Sequence, residues 1–327
     1  MRLALKLAVL GVALLAGGTL LVDRRAAARE AQAQADFPPI GQIIDVGGVP
    51  VHVLIRGTGP DLVLIHGASG NLRDFDFEFI DRLSDRYRVI AFDRPGLGYT
   101  ARTKPVYDSV FTPYAETLAE QATLLQAAAA QLGASKPLVM GQSYGGAVAL
   151  AWALDHPDNI AGLILVSTPS QVWDGGLGPL YAVGASVLGG AFILPVISAF
   201  APETQVRTTM ESIFAPNPVP ADYDAHVGAE LVIRRSSLRA NIRQVSALKA
   251  ELVAMVPRYA TLTLPVELVH GDTDSVVPLT IHSAKLVDQI AGAVLTVLPG
   301  IGHMPHHSAP QAVTDAVDRA ASRAHLR

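Results

Sequence analysis

Ser143 lies in the segment 141–146, G-Q-S-Y-G-G, whose glycines indicate a turn that exposes a nucleophile. An apolar run at 137–140 precedes this segment, and an alanine-rich amphipathic run at 147–154 follows it. A G-x-S-x-G turn between a strand and a helix holds the serine backbone in a strained, exposed conformation, and the glycines let strand and helix pass closely. The sequence therefore predicts that Ser143 is a nucleophile.

A serine hydroxyl alone is a poor nucleophile, so this prediction requires a base, an acid that orients the base, and donors for a developing oxyanion. His303 follows the apolar run 293–298, which places it on the loop after the last expected strand. Asp272 and Asp274 follow the run 266–270, on the loop after the preceding expected strand. The chain order serine, aspartate, histidine is the one that accompanies such a turn on this kind of sheet.

Backbone N–H groups from two turns are the candidates for an oxyanion site. The apolar run 62–65 leads into the turn 66–70, H-G-A-S-G, where the glycines allow a backbone N–H to face a substrate oxygen. We expect the N–H groups of Ala68 and of Tyr144, the residue after the nucleophile, to be the two donors. Together these segments predict acyl transfer.

Two further motifs give the chain its resemblance to the α/β-hydrolase superfamily, which covers about residues 41–325. The segment 93–100, D-R-P-G-L-G-Y-T, is similar to the family's D-x-P-G-x-G-x-S turn after the fourth strand, with Thr100 in the usual serine place. The segment 302–310, G-H-M-P-H-H-S-A-P, is similar to the family's histidine loop, except that Ser308 stands where a glutamate is common. This departure affects the start of the following helix, which Ser308 can cap.

The resemblance implies that Asp274 orients His303 as the base for Ser143, since Asp274 fits the family's G-x-x-D spacing. Asp272 is the alternative, although it could equally stabilise its own turn. Some members of the family carry the acid one strand earlier, where residues 163–169 of this chain contain no carboxylate. The resemblance therefore favours Asp274.

Other polar residues of these motifs have structural interpretations. We expect His66 to hold the oxyanion turn by hydrogen bonding and Asp93 to stabilise its own turn. His303, His306 and His307 match no zinc pattern, so neither a metal nor a cofactor is predicted. An aspartate in place of the turn serine would have indicated dehalogenase or epoxide hydrolase chemistry, and serine argues against both.

Alternating apolar runs and helical patterns predict an α/β fold with a mostly parallel, doubly wound sheet. Two short antiparallel strands, at 42–46 and 51–56, are expected to come first. The helix before the serine turn is expected to begin near Thr112 and to end at Gly133.

A stretch of about a hundred residues separates two of the expected strands, far more than a crossover needs. We interpret residues 169–260 as a helical cap inserted between two parts of the core, 41–168 and 261–327. The uncharged segment 175–202 contains glycines and a proline that break any single long helix, which argues against a membrane span there. The later basic residues of the cap are expected on its solvated side: Arg234, Arg235, Arg239, Arg243 and Lys249.

The predicted function is a serine hydrolase, most specifically a carboxylesterase or lipase-like enzyme that cleaves esters with apolar acyl or aromatic groups. The apolar cap favours this small apolar substrate. A carbon–carbon bond hydrolase of ring-cleavage products is the alternative, and its carboxylate substrates would favour a cap arginine such as Arg207. A cofactor-free perhydrolase and a ligand-sensing protein that retains the triad remain open.

Composition bounds these interpretations. The chain has 327 residues, half of them apolar, which is enough for one large domain with an insertion. Its net charge of −4 and the lack of a long basic run give no support to nucleic-acid binding. The absence of cysteine excludes disulfides and thiol catalysis.

The amino-terminal region, residues 1–25, is predicted to be membrane-directed. Residues 7–22 carry no charge, and at about 1.5 Å per residue the apolar stretch is near the length needed for a bilayer core of roughly 30 Å. We expect an uncleaved anchor, a linker at 26–40 and a catalytic domain outside the cytoplasm. A small-x-small site at 33–35 leaves open a cleaved signal segment and a secreted protein.

Overall fold

Eight strands form one sheet in the computed structural model, which describes residues 2–327, with side chains described for Lys6 and residues 15–327. The strands are β1 (Gln42–Val46), β2 (Val49–Arg56), β3 (Asp61–Ile65), β4 (Arg88–Phe92), β5 (Leu138–Gln142), β6 (Gly162–Val166), β7 (Val266–Gly271) and β8 (Val294–Leu298). Their order across the sheet is β1-β2-β4-β3-β5-β6-β7-β8. β2 pairs antiparallel with β1 and β4, and all the other pairs are parallel. The mostly parallel sheet predicted from the sequence is confirmed.

The α-helices of the described residues are α1 (Arg2–Asp36), α2 (Arg73–Asp76), α3 (Leu118–Gln131), α4 (Tyr144–Asp155), α5 (Pro179–Gly184), α6 (Leu194–Phe200), α7 (Glu203–Phe214), α8 (Tyr223–Val227), α9 (Ala229–Val232), α10 (Arg235–Met255), α11 (Ser283–Gln289), α12 (Pro305–Ser308) and α13 (Pro310–Arg323). Short 3-10 turns span Ile80–Arg82, Pro105–Tyr107, Pro157–Asn159 and Val256–Thr261, and a π-helical turn spans Gly189–Ile193.

Two apolar layers cover the sheet. Leu125 of α3, Leu150 of α4 and Val245 of α10 belong to one buried cluster. Phe75 of α2 and Val317 of α13 belong to a second cluster. Helices therefore cover both faces, as a doubly wound sheet requires.

Helix α3 begins later than the sequence pattern predicted. Its first residue is Leu118, because the Thr117 side chain accepts from Glu120 N at 3.1 Å while Glu120 Oε2 accepts from Thr117 N at 3.0 Å. This capping box satisfies the first backbone donors of the helix. The proline that follows Thr112 therefore lies before the helix, and the start predicted near Thr112 is wrong.

Helices α5 to α10 lie between β6 and β7 in the chain, where an inserted cap was expected. The expectation that the cap's basic residues are solvated is wrong for three of them. Arg234, Arg239 and Arg243 are between 2% and 8% exposed. Their guanidinium groups donate to backbone carbonyl groups of the core and of the cap, which offsets the desolvation of the charge in part.

Helix α1 packs against the cap along its carboxyl-terminal half. Arg25 Nε donates to Ala199 O, just before the end of α6, at 2.9 Å. Glu30 pairs with Arg235 of α10 at 2.8 Å. The stretch predicted as a linker, 26–40, is therefore helical to the end of α1 and attached to the cap.

No helix among the residues that the structure describes is both long enough and apolar enough to cross a membrane. The membrane segment predicted at 1–25 depends on the apolar run 7–22, and the side chains of residues 7–14 lie outside those described. The predicted anchor therefore has no support from the structure and stays a prediction.

Candidate active site

Ser143 lies between β5 and α4 with φ +50° and ψ −124°. A non-glycine residue in such a region costs of order 1–3 kcal/mol and is kept where surrounding structure enforces it. The glycines around it have no room for a side chain: a Cβ on Gly145 would lie 2.1 Å from Ile65 O, and one on Gly146 would lie 1.9 Å from Thr168 Oγ1. The strained turn predicted from the sequence is present.

Asp274 and His303 come together from the loops after β7 and β8. His303 Nδ1 lies 2.8 Å from Asp274 Oδ2, and Asp274 Oδ1 accepts from the N–H groups of Val276 and Val277 at 2.9 and 2.8 Å. Burial alone would raise the pKa of Asp274, but hydrogen bonds from His270 and His303 hold that pKa well below its usual range. The carboxylate is therefore ionised and oriented toward the histidine.

Asp272, the alternative acid, is bonded to the backbone of the neighbouring loop. Its Oδ1 accepts from Gly300 N at 2.7 Å, and the residue is exposed. It fixes the neighbouring loop without touching His303. Of the two aspartates, the geometry pairs only Asp274 with the histidine.

The residue before Ser143 contacts the loop that carries His303, which brings the two segments together. Gln142 Nε2 donates to His303 O at 3.2 Å and contacts Met304 Sδ at 3.6 Å. Both Ser143 and His303 are less than a tenth exposed. Among the described residues, no hydrogen bond joins Ser143 Oγ to His303; such a bond is often long in a ligand-free enzyme and tightens with substrate.

The two predicted oxyanion donors are backbone groups with unused hydrogen-bonding capacity. Tyr144 is the first residue of α4, where helical N–H groups lack an intrahelical acceptor. Within the described residues, neither its N–H nor that of Ala68 donates to a protein acceptor. A Cβ on Gly67 would lie 3.2 Å from Ser143 Cβ, so the turn that carries Ala68 lies directly against the nucleophile.

His66 is a structural residue in this turn. Its Nδ1 lies 2.9 Å from Gly67 O, while its Nε2 accepts from Arg94 N at 2.9 Å. Burial, followed by the charge of Arg94, lowers the pKa of His66 to about 4. Asp93 accepts hydrogen bonds from the backbone of two loops and lies 2.6 Å from His52 Nδ1. Both residues have the turn-stabilising contacts expected of them.

Three residues that hold the oxyanion turn, directly or through Arg94, were missed by the sequence analysis. Asn241 Oδ1 of α10 accepts from Ser69 N at 2.7 Å, and Gln244 Oε1 of the same helix accepts from Arg94 Nη1 at 2.8 Å. The cap helix therefore holds the turn from outside the core. Arg94 has a variable place in its motif, and no local pattern marks the two cap residues.

The three histidines of the last loop belong to two clusters. His303 pairs with Asp274, whereas His306 and His307 place their Nε2 atoms 3.0 and 2.8 Å from the two oxygens of Asp74. Burial, then the neighbouring His307, lowers the pKa of His306 to about 4. Asp74, His306 and His307 are the group in the described part of the chain whose ligand atoms, within 4.8 Å of one another, could hold a metal ion. These atoms already satisfy one another by hydrogen bonding, and Tyr223 of the cap also donates to Asp74 at 2.6 Å.

The sheet order and the strained serine turn are those of an α/β hydrolase. A profile described as "Alpha/beta hydrolase family" matches residues 62–316. The chain belongs to the alpha/beta hydrolase family.

Known proteins similar to this chain have several activities. A pimeloyl-[acyl-carrier protein] methyl ester esterase of Edwardsiella ictaluri is 29% identical over 265 residues, which are 77% of this chain and 89% of the esterase. The crystal structure of a membrane phospholipase A shares the fold over 98% of this chain and 99% of its own, with 21% identity and a TM-score of 0.60. A meta-cleavage product hydrolase from Pseudomonas fluorescens covers 88% of this chain and 99% of its own, with 22% identity and a TM-score of 0.61.

Proposed function

We propose that the chain is a serine carboxylesterase with a lipase-like preference for esters that carry apolar acyl or aromatic groups. The observation that carries this proposal is the Asp274–His303 pair beside a serine held in a strained turn. Sequence similarity to a known protein adds support, because a relative at 29% identity is named as a methyl ester esterase. Ser143, His303 and Asp274 are the proposed catalytic residues, and Ala68 and Tyr144 the proposed oxyanion donors.

The proposed mechanism is two-step acyl transfer. His303 takes the proton of Ser143 as the serine oxygen attacks the ester carbonyl carbon, and the carbonyl oxygen becomes an oxyanion near the N–H groups of Ala68 and Tyr144. His303 then donates the proton to the departing alcohol, which leaves an acyl-serine. Water repeats the cycle and releases the acid. Asp274 holds the His303 tautomer and stabilises the imidazolium throughout.

Apolar side chains beside the histidine loop support the substrate class. Met304, directly after His303, shares a buried cluster with Phe214 of α7 and Val227 of α8. Gly302 is so close to the end of α7 that a Cβ there would lie 2.3 Å from the carbonyl oxygen of the residue after Phe214. Apolar side chains therefore lie directly beside the proposed base, and burial of an acyl or aromatic group against such side chains is worth about 25 cal/mol per Å².

The test is hydrolysis of a p-nitrophenyl ester series from acetyl to octanoyl. We expect kcat/KM to rise with acyl length until the pocket is filled, because each buried methylene adds roughly 0.8 kcal/mol of binding. The Ser143→Ala variant is the control for site-specific turnover. A steady fall in kcat/KM with acyl length would contradict the apolar-acyl preference, and the absence of all ester turnover would contradict the esterase.

The carbon–carbon hydrolase alternative needs a cap arginine that can bind a substrate carboxylate, and three of the cap arginines have other partners in the described structure. Arg207, the first cap arginine considered for a substrate carboxylate, is 71% exposed and lies 3.7 Å from Asp224. Arg239 donates to Gly190 O, and Arg243 donates to carbonyl groups of the loop at 109–110. These three guanidinium groups are already engaged with protein partners.

Attachment to a membrane is the second part of the proposal, and it rests on the uncharged run 7–22 and on exposed apolar residues of the cap. Leu188, Phe192 and Val196 are 70%, 55% and 43% exposed. The segment that carries them packs beside α1, so the helix and the cap surface would meet the same bilayer. The catalytic domain is proposed to lie outside the cytoplasm.

We expect the full chain to stay in the membrane pellet after an alkaline carbonate wash of cells that express it. The double variant Val12→Arg with Leu14→Arg should move to the supernatant, because a central arginine costs about 2.5–3.5 kcal/mol of insertion free energy. The matched control, Gln32→Arg with Gln34→Arg, adds the same charge beyond the run and should stay in the pellet. Wild-type protein in the supernatant would contradict the anchor, and protease resistance in spheroplasts would contradict the proposed side.

A further inference from the structure

Arg94 is a fully buried guanidinium that forms no ion pair in the described part of the chain. Its Nε donates to His66 O at 3.0 Å and its Nη2 to Gly67 O at 3.1 Å. Its Nη1 donates to Gln121 Oε1 at 3.0 Å and to Gln244 Oε1 at 2.8 Å. Burial lowers the pKa of Arg94 to about 10, so the group stays charged at neutral pH. Burying this charge is costly, and four hydrogen bonds to neutral acceptors offset part of the cost.

The hydrogen bond to Gly67 acts on a proposed oxyanion donor. Gly67 C=O and Ala68 N–H belong to one peptide unit, which is planar, so fixing the direction of the oxygen fixes the direction of the N–H on the opposite side. Gly67 O accepts from Arg94 Nη2 and lies 2.9 Å from His66 Nδ1. Two donors on one oxygen restrain the rotation of this peptide in an otherwise glycine-flanked turn.

The same guanidinium contacts the residue that supplies the second donor. Arg94 Cζ lies 4.3 Å from the centre of the Tyr144 ring, within the range of a cation–π contact. Tyr144 OH lies 3.3 Å from Gln121 Nε2, and Gln121 also accepts from Arg94. One buried group therefore packs against both of the segments that carry the proposed donors.

We infer that Arg94 is a positioning residue for the oxyanion site, which fixes the Gly67–Ala68 peptide and the start of α4 so that the N–H groups of Ala68 and Tyr144 converge on one oxygen. The positive charge behind the Gly67 carbonyl also polarises the peptide and strengthens its N–H as a donor. The inference rests on the proposed function, since an oxyanion site matters only for acyl transfer.

The cap holds Arg94 in this position. Gln244 of α10 accepts from Arg94 through its Oε1, while its Nε2 donates to Pro95 O at 2.9 Å and to Glu116 Oε2 at 3.0 Å. The amide of Gln244 is thereby fixed with its oxygen toward the guanidinium. Arg94 therefore links the oxyanion turn to the cap helix, in addition to the direct contact of Asn241 with that turn, so the cap contributes to the geometry of the reaction.

The test compares Arg94→Met and Arg94→Lys with the wild type. We expect Arg94→Met to lower kcat by about 10- to 100-fold, less than the loss of a direct oxyanion donor, with KM changed by less than about threefold. Arg94→Lys keeps the charge but has three donors for the four acceptors that the planar guanidinium bonds, so its kcat should fall between those of the wild type and Arg94→Met. Rates are expressed per folded site, counted by exhaustive labelling of Ser143 with a fluorophosphonate.

Binding of a trifluoromethyl ketone separates positioning from general stability. This inhibitor adds to a catalytic serine as a tetrahedral oxyanion, so its affinity should fall by the same factor as kcat/KM across the variants. The control is Arg243→Met, since Arg243 is also buried, lies on the same helix as Gln244 and bonds only carbonyl groups outside the oxyanion turn. It should keep the wild-type kcat and inhibitor affinity per folded site.

The outcomes distinguish the inference from the function on which it rests. Wild-type kcat and inhibitor affinity in Arg94→Lys would overturn the inference, even if Arg94→Met did not fold. An equal loss in Arg243→Met would also overturn it, because the effect would then belong to buried arginines in general. A wild-type protein that neither cleaves esters nor reacts at Ser143 would refute the proposed function, and the inference would fall with it.

Discussion

Ser143→Ala and His303→Ala are each expected to lower kcat by about four to six orders of magnitude, and the double variant should be no more than about tenfold worse than either. The reason is that the proposed proton transfer needs both partners. An unassisted serine is a weak nucleophile, and an oriented histidine has nothing to activate once the hydroxyl is gone. The measurement is kcat/KM on the best ester of the series, with spontaneous hydrolysis subtracted.

Controls for these variants come from the same chain. Ser135→Ala removes an exposed hydroxyl, and His325→Asn replaces an exposed histidine whose φ of +56° asparagine tolerates. Both should keep wild-type kcat. Losses that add in the double variant would mean that Ser143 and His303 act independently, which contradicts the proposed triad.

The sequence predicted most of what lies along the strand ends. The serine turn, the histidine loop and the aspartate loop each follow an apolar strand, and the carboxyl ends of parallel strands meet at one edge of the sheet. Local motifs therefore sufficed to place Ser143, Asp274 and His303 near one another. The pairing of Asp274 rather than Asp272 with His303 also agreed with the expected spacing.

The contacts between the cap and the core could not be predicted in the same way. Asn241 bonds the oxyanion turn and Gln244 bonds Arg94 from a helix more than a hundred residues farther along the chain, and their spacing on α10 forms no motif. Arg239 and Arg243 were expected on a solvated face, because the pattern of charge along one helix does not reveal which other segments pack over it. Segments distant in the chain bury these two arginines. Their hydrogen-bond acceptors are backbone carbonyl groups, which have no sequence signature.

Helix α1 shows a different limit of sequence reasoning. Its alanine- and glutamine-rich part has high helix propensity, which favours the observed helix over a linker. What attaches it to the cap is the Glu30–Arg235 pair and two arginines that bond carbonyl groups near the end of α6. A helix carboxyl terminus leaves such carbonyl groups free and attracts cations, but the sequence does not identify which helix end receives them.

Asp274→Asn is expected to lower kcat by about four orders of magnitude while leaving the fold intact. In the structure Asp274 Oδ1 accepts from the N–H groups of Val276 and Val277, so an asparagine would place its oxygen there and its NH2 toward His303. A donor facing His303 Nδ1 moves the imidazole proton to Nε2. The nitrogen that should take the Ser143 proton is then already protonated.

Asp272→Asn is the matched control for this substitution, because it makes the same chemical change two residues away without touching His303. It should keep kcat within about threefold of the wild type, whereas equal losses in the two variants would contradict the role of Asp274.

The pH dependence of the free energy of unfolding tests the ionisation of Asp274 independently of activity. The pKa of Asp274 is depressed by folding, so its contribution is present above the unfolded pKa of about 3.9 and is lost as the pH falls below it. The difference in urea midpoint between wild type and Asp274→Asn should therefore be largest near neutral pH and shrink in acid, and a difference that grew in acid would contradict the ionised, hydrogen-bonded carboxylate.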